Sequence, residues 1–151
     1  MYLEARSRLF EGDPTPPLRE ALTFAYPTPA GRDAALQVLD EFDMTRPDVV
    51  LALVPQLLEL ALGLDYRSGK VRQMIARLEP AASEKALTPI VVGFLEDGSR
   101  EAADYWGLIE LLDKVGLVKM RKKVIAAAAC SADEDTRITA RQWNEQLKNR
   151  D

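Results

Sequence analysis

Residues 46–78, RPDVVLALVPQLLELALGLDYRSGKVRQMIARL, have the pattern of two helices joined by a polar turn, and that pattern recurs further along the chain. Pro55 has a counterpart at Pro89, 34 residues later (89 − 55). At the same offset the apolar stripe of the second helix is repeated, so that Val71, Met74, Ile75 and Leu78 correspond to Tyr105, Leu108, Ile109 and Leu112. A helical hairpin that recurs at this period is typical of a stacked-helix solenoid.

The same unit accounts for most of the chain. We predict an all-α fold, an α-solenoid of about four antiparallel helical hairpins, after a short helix near the N-terminus. The hairpins are expected over residues 17–44, 47–78, 81–115 and 117–147. Pro55 should kink the first helix of the second hairpin, and residues 65–69 should form its turn. Gly116 should end the third hairpin, and Ser131 or Asp133 should cap the last helix.

Length and composition indicate one domain, residues 1–151. Hydrophobic residues make up 47% and charged residues 29%, an ordinary balance for a soluble globular protein. Charged residues interrupt the N-terminus, and the most apolar run is shorter than the roughly 20 residues that span a bilayer. We therefore expect a cytoplasmic protein with no membrane segment. The single cysteine, Cys130, excludes an internal disulfide, and we expect its side chain to be buried.

The residue types limit the chemistry. The chain has no histidine, which removes the usual general base and the commonest metal ligand, so we predict no catalytic residue, no metal and no cofactor. Residues 63–70 lack the spacing of a phosphate-binding loop, and residues 97–108 lack the glycine and final glutamate of a calcium loop. The carboxylates of the second helices are interpreted as solvated faces. The same interpretation leads for the basic cluster Lys119, Arg121, Lys122 and Lys123, with an anion or partner patch as the alternative.

The hairpin corners resemble those of HEAT-like repeats. Val71-Arg72 opens one second helix and Thr136-Arg137 opens another. In that family an Asp often precedes a Val-Arg pair at this corner. Asp135 fits this pattern, but the second hairpin has no Asp at that position and the third has no Val-Arg pair. The resemblance implies a protein that binds partners on a concave surface formed by one set of helices.

The predicted partner-binding surface lies on the second helices, away from the core stripes. Trp106 is about 100° round its helix from Tyr105 and aligns with Arg72, and both residue types are favoured anchors at interfaces. We therefore expect both to be exposed. The surface is predicted to comprise Asp40, Arg72, Arg77, Trp106, Glu110 and Asp113. The alternative for Trp106 is packing under the adjacent hairpin, whereas Tyr105 and Trp143 are predicted to be core residues.

These observations favour a non-enzymatic protein–protein interaction module. Its most concrete form is an immunity or antitoxin-type protein that neutralises a cognate bacterial toxin. The net charge of −4 would suit a basic toxin and argues against duplex binding. The alternative is a HEAT-like enzyme or enzyme subunit that removes alkylated bases from nucleic acid or helps to attach pigments. A continuous stripe of Lys and Arg would favour nucleic acid, whereas a mixed or acidic surface would favour a protein partner.

Overall fold

The computed structural model describes residues 12–23, 29–42 and 45–150. Within these residues the chain is all-α, with nine helices and no strand. The helices span Thr15–Thr23 (α1), Pro29–Phe42 (α2), Pro47–Ala52 (α3), Val54–Ala61 (α4), Tyr66–Ala76 (α5), Pro80–Glu96 (α6), Ala102–Val115 (α7), Val118–Ala129 (α8) and Glu134–Leu147 (α9). The helix predicted near the N-terminus lies outside the described residues.

Most helices pack against a neighbour in the chain, but α6 and α7, the helices of the third predicted hairpin, make few contacts with each other. α1 packs on α2, α4 on α5, and α8 on α9, which are the paired helices of the first, second and fourth predicted hairpins. α1, α4, α6 and α8 contact one another in that order, as do α5, α7 and α9. We call α2, α5, α7 and α9 the second helices. The all-α class is therefore confirmed, and the order of contacts is compatible with a helical repeat.

One apolar core runs through these contacts. The repeated stripe that the sequence predicts is buried at both copies: Val71, Met74, Ile75 and Leu78 in and after α5, and Leu108, Ile109 and Leu112 in α7. Tyr105 is half-buried, and its ring meets that of Phe94 edge-on with 4.9 Å between centroids. Trp143 is buried, as predicted. Removal of this apolar surface from water is the main stabilising contribution to the fold.

Pro55 breaks its helix outright. α3 ends at Ala52 and α4 begins at Val54, with the backbone of Leu53 at φ −100° and ψ 3° between them. Pro55 then occupies the second position of α4, where its missing N–H would have no partner within the helix. Pro89 instead lies inside the continuous helix α6. The two prolines are equivalent in the repeat but differ in local structure.

Two predictions about local structure are wrong. Residues 65–69 do not form a turn, because α5 already begins at Tyr66 and Asp65 is its N-cap. The Asp65 carboxylate accepts hydrogen bonds from the Ser68 amide and hydroxyl at 2.8 and 2.9 Å, which satisfies a free donor of the first turn. Cys130 is exposed at the C-terminal end of α8, contrary to the expectation of burial.

Two predicted helix boundaries are confirmed. Gly116 follows α7 in the left-handed conformation, with φ 85°, and its amide donates to the carbonyls of Leu112 and Asp113. Asp133, one of the two candidates, is the N-cap of α9: its carboxylate accepts from the amide and the hydroxyl of Thr136. Both ends therefore have the capping chemistry that their residue types favour.

Gly107 allows α7 to approach the corner between α4 and α5. It is buried, and a Cβ atom at this position would overlap the backbone carbonyl group of Leu62. Gly93 in α6 provides the contrast, because a Cβ there would meet no atom within 4 Å. Of these two glycines, only Gly107 is required by packing.

We expect Gly107→Ala to lower the free energy of unfolding by about 1–3 kcal/mol, because backbone must move to admit the methyl group. Gly93→Ala is the matched control and should raise it by about 0.5–1 kcal/mol, since alanine loses less backbone entropy in a helix. Urea unfolding followed by circular dichroism measures both. Equal effects from the two substitutions would contradict the close approach of α7 to Leu62.

The two N-cap aspartates make stability depend on pH. Hydrogen bonds from Ser68, chiefly from its amide, lower the pKa of Asp65, and those from Thr136, chiefly from its hydroxyl, lower the pKa of Asp133. A carboxyl group with a lowered folded-state pKa stabilises the fold above its unfolded value of 3.8. That contribution is lost as the pH falls through the lower folded-state value.

Replacement of both aspartates by asparagine keeps a capping acceptor but removes the titrating groups. We therefore expect Asp65→Asn/Asp133→Asn to show a shallower fall in unfolding free energy below pH 3.8 than the parent protein. Urea unfolding at a series of pH values measures the slope. Parallel curves for the two proteins would show that these caps do not contribute to the acid sensitivity.

Candidate partner-binding surface

Arg72 is buried, so the prediction that it is exposed is wrong. Its Nη1 donates to the carbonyl oxygens of Ala61 and Gly63, each at 2.7 Å, and its Nη2 lies 3.6 Å from a carboxylate oxygen of Glu110. The Ala61 carbonyl belongs to the last residue of α4 and the Gly63 carbonyl lies just beyond it, where the helix itself supplies no donors. Arg72 therefore holds α4, α5 and α7 together, which is a structural role.

Trp106 is half-buried and packs against the core. Its ring centroid lies 5.2 Å from that of Trp143 in α9, with 46° between the ring planes. This arrangement supports the alternative stated from the sequence, in which Trp106 packs under the adjacent hairpin. Trp106 therefore contributes to the contact between α7 and α9.

The remaining predicted residues are dispersed. Asp40 on α2 and Arg77 after α5 are exposed. Asp113 is half-buried, and its oxygens accept hydrogen bonds from Arg121 at 2.7 Å and from Arg150 at 3.0 Å. Arg121 is itself buried, so it does not belong to the solvated face that was predicted for the basic cluster.

Ion pairs join the second helices one to the next. The pairs that cross between these helices, or reach them from just beyond α9, are Arg67–Asp33 at 2.7 Å, Lys70–Asp40 at 3.9 Å, Arg72–Glu110 at 3.6 Å and Arg150–Asp113 at 3.0 Å. Acidic and basic side chains therefore alternate across this layer in the part of the chain that the structure describes. An alternating pattern is the one expected to favour a protein partner over nucleic acid.

A groove of about 640 Å³ lies between α2 and the beginning of α5. It is lined by Asp33, Leu36, Gln37, Asp40, Asp65, Tyr66, Arg67 and Lys70. Tyr66 is 82% exposed, and Leu64, just before the N-cap, is 62% exposed. Apolar side chains surrounded by a charged rim are the arrangement that is common in protein-binding surfaces.

Neither Tyr66 nor Leu64 is among the site residues predicted from the sequence. Tyr66 was missed because residues 65–69 were assigned to a turn. The sequence does contain a signal that Tyr66 faces solvent. Once α5 is extended back to Asp65, Tyr66 lies about 140° round the helix from Val71 and so faces away from the core stripe. Asp40 is the one predicted residue that lines this groove.

Neither a metal-binding cluster nor a membrane-spanning helix is present among the described residues. No group of three or more His, Cys, Asp or Glu side chains in this part of the chain is placed to hold a metal ion. No helix among the described ranges has both the length and the apolar character needed to cross a membrane.

Arg72→Met retains most of the aliphatic stem but removes the donors. We expect it to lower the free energy of unfolding by about 2–4 kcal/mol, because two carbonyls and Glu110 lose a charged partner. Arg141→Met, at an exposed position of α9, is the control and should change it by less than about 0.5 kcal/mol. Thermal and urea unfolding test both, and similar losses from the two variants would contradict the structural role.

No protein-family model, curated protein or solved structure matches this chain.

Proposed function

We propose that this chain is a non-enzymatic protein-binding module, built as a HEAT-like stack of about four helical hairpins. The order of helix contacts supports the stack, since α1, α4, α6 and α8 contact one another in that order, as do α5, α7 and α9. Such stacks bind partners on the surface of one helix layer. The partner-binding surface is assigned to the layer of second helices, as the sequence also predicts.

The observation that carries the proposal is the α2–α5 groove with Tyr66 at its edge. Leu64 and Tyr66 are the most exposed large hydrophobic side chains among the described residues, and exposed apolar surface beside a polar rim supports a binding role. Tyrosine also loses little conformational entropy on binding, which makes it an effective interface anchor. Tyr66 therefore replaces Trp106 as the proposed centre of the surface, and Asp40 keeps its predicted place within it.

The proposed biological role is that of an immunity-type protein that neutralises a cognate bacterial toxin. The net charge of −4 supports a basic partner, because opposite charges increase the rate of association. The alternative enzymatic role finds less support. Asp113, a half-buried acid on the same helix as Trp106 that could serve such a role, is already engaged by hydrogen bonds from Arg121 and Arg150.

The test begins with capture of the partner from the native cell lysate on immobilised wild-type protein. Truncation of a buried interface tyrosine costs roughly 2 kcal/mol, so Tyr66→Ala should weaken binding of the captured protein about thirtyfold. Val92→Ala is the matched control, because Val92 is an exposed apolar residue outside the groove, and it should leave affinity unchanged. Equal affinities for all three proteins would refute the groove as the binding surface.

The immunity role needs a second measurement. Expression of the captured protein alone should arrest growth of host cells, and co-expression of the wild-type chain should restore it. Tyr66→Ala should restore growth less well at the same expression level. A captured protein that has no effect on growth would leave the binding module standing but exclude the toxin-neutralising role.

A further inference from the structure

Charge is divided unevenly along this chain. Residues 1–113 contain 11 Lys and Arg against 19 Asp and Glu, a net charge of −8. Residues 114–151 contain 9 Lys and Arg against 5 Asp and Glu, a net charge of +4. The overall value of −4 therefore conceals a basic C-terminal segment, residues 114–151, attached to an acidic remainder. Asymmetry of this kind points to a partner of opposite charge for the basic part.

The excess positive charge is concentrated on α8. Its sequence, VKMRKKVIAAAA, has four cations and no acid. Arg121 is buried against Asp113, whereas Lys119, Lys122 and Lys123 are exposed. Among the described residues no carboxylate lies within ion-pair distance of these three ammonium groups. We call Lys119, Lys122 and Lys123 the lysine face.

The lysine face is electrostatically unfavourable for the helix that carries it. Like charges three and four residues apart repel, as Lys119 does with Lys122 and Lys123. All three also lie in the first half of α8, near the positive end of the helix dipole, where acids are favoured and none is present. A local arrangement that opposes stability without compensation within the fold is characteristic of a binding surface.

A groove of about 400 Å³ between α8 and α9 adjoins this face. Lys122 and Lys148 line it together with the apolar side chains Ile125, Ala126 and Leu147. Lys148 lies 3.6 Å from Glu145, but both side chains are more than two-thirds exposed, so the pair is weak. The groove is therefore lined by apolar side chains and by the ammonium groups of Lys122 and Lys148.

We propose that the lysine face and this groove bind an acidic amphipathic segment of a partner protein. The apolar walls would contact its hydrophobic residues and the lysines its carboxylates. A nucleic acid fits less well, because no aromatic side chain lines the groove to stack on bases. A nucleic-acid strand that extended past residues 114–151 would also be repelled by the net charge of −8 on residues 1–113. The proposal rests on the proposed protein-binding role but concerns a different surface from the Tyr66 groove.

The test uses the isolated full chain and defined probes, with binding followed by fluorescence anisotropy. The probes are a short amphipathic peptide of Glu and Leu, the same peptide with Lys in place of Glu, and a single-stranded DNA oligonucleotide of matched charge. We expect saturable binding of the Glu peptide only. Raising the salt from about 50 mM to about 300 mM should weaken it severalfold.

Charge reversal locates the site. Lys122→Glu/Lys123→Glu should weaken binding of the Glu peptide at least about tenfold. Lys85→Glu/Lys114→Glu, which alters net charge equally at two exposed lysines outside the lysine face, should weaken it by less than about threefold. Cooperative thermal unfolding of both variants, followed by circular dichroism, would confirm that folding is intact.

Three results would overturn the proposal: no saturable binding of the Glu peptide, equal weakening by the two double variants, or oligonucleotide binding as tight as that of the peptide. None of them bears on capture through the Tyr66 groove, because the titration requires no native partner. Conversely, loss of capture in Tyr66→Ala leaves the peptide result unaffected. The two proposals can therefore fail independently.

Discussion

The buried guanidinium of Arg72 is the interaction on which the arrangement of the central helices depends. Burying a charged group without partners is costly, so the fold has to surround it with acceptors. The carbonyls of Ala61 and Gly63 come from the end of α4, and the carboxylate of Glu110 comes from α7. One side chain on α5 therefore fixes both the partner helix of its own hairpin and the next second helix.

The same corner shows why α7 packs so closely. Arg72 binds the carbonyls on either side of Leu62, and the backbone of Gly107 approaches Leu62 itself. Glu110, one turn beyond Gly107, is then within reach of the guanidinium. A comparable hydrogen bond occurs at the last hairpin, where Arg137 Nη1 donates to the carbonyl of Ser131 at 2.7 Å. The arginines that resemble the HEAT-like corner thus both bind carbonyls where one helix passes to the next.

The sequence was sufficient for the helices and for most of the core, because a helical stripe repeated at a fixed offset determines which face of each helix is buried. It was insufficient for side chains next to that stripe. Arg72 lies only about 100° round α5 from Val71, and its long aliphatic stem places the guanidinium in the corner between α4 and α5. The periodicity of apolar residues does not indicate how far such a side chain reaches. Cys130 follows four alanines, a run with no polar face to indicate orientation. Tyr66 was missed because recognition of Asp65 as a cap, and not as a turn residue, depends on the hydrogen bonds to Ser68.

The type of cation, beyond its charge, separates structural from surface roles in this protein. Arg72, Arg121 and Arg137 each direct a guanidinium N–H at a carbonyl or carboxylate oxygen between elements of the fold. The lysine face carries only ammonium groups, which are strongly hydrated and have no preferred fork geometry. An exposed ammonium group keeps its favourable hydration. It still attracts anions over about 8 Å at physiological salt. The arginines therefore link the elements of the hairpins through hydrogen bonds, and the exposed lysines of α8 remain available to a partner.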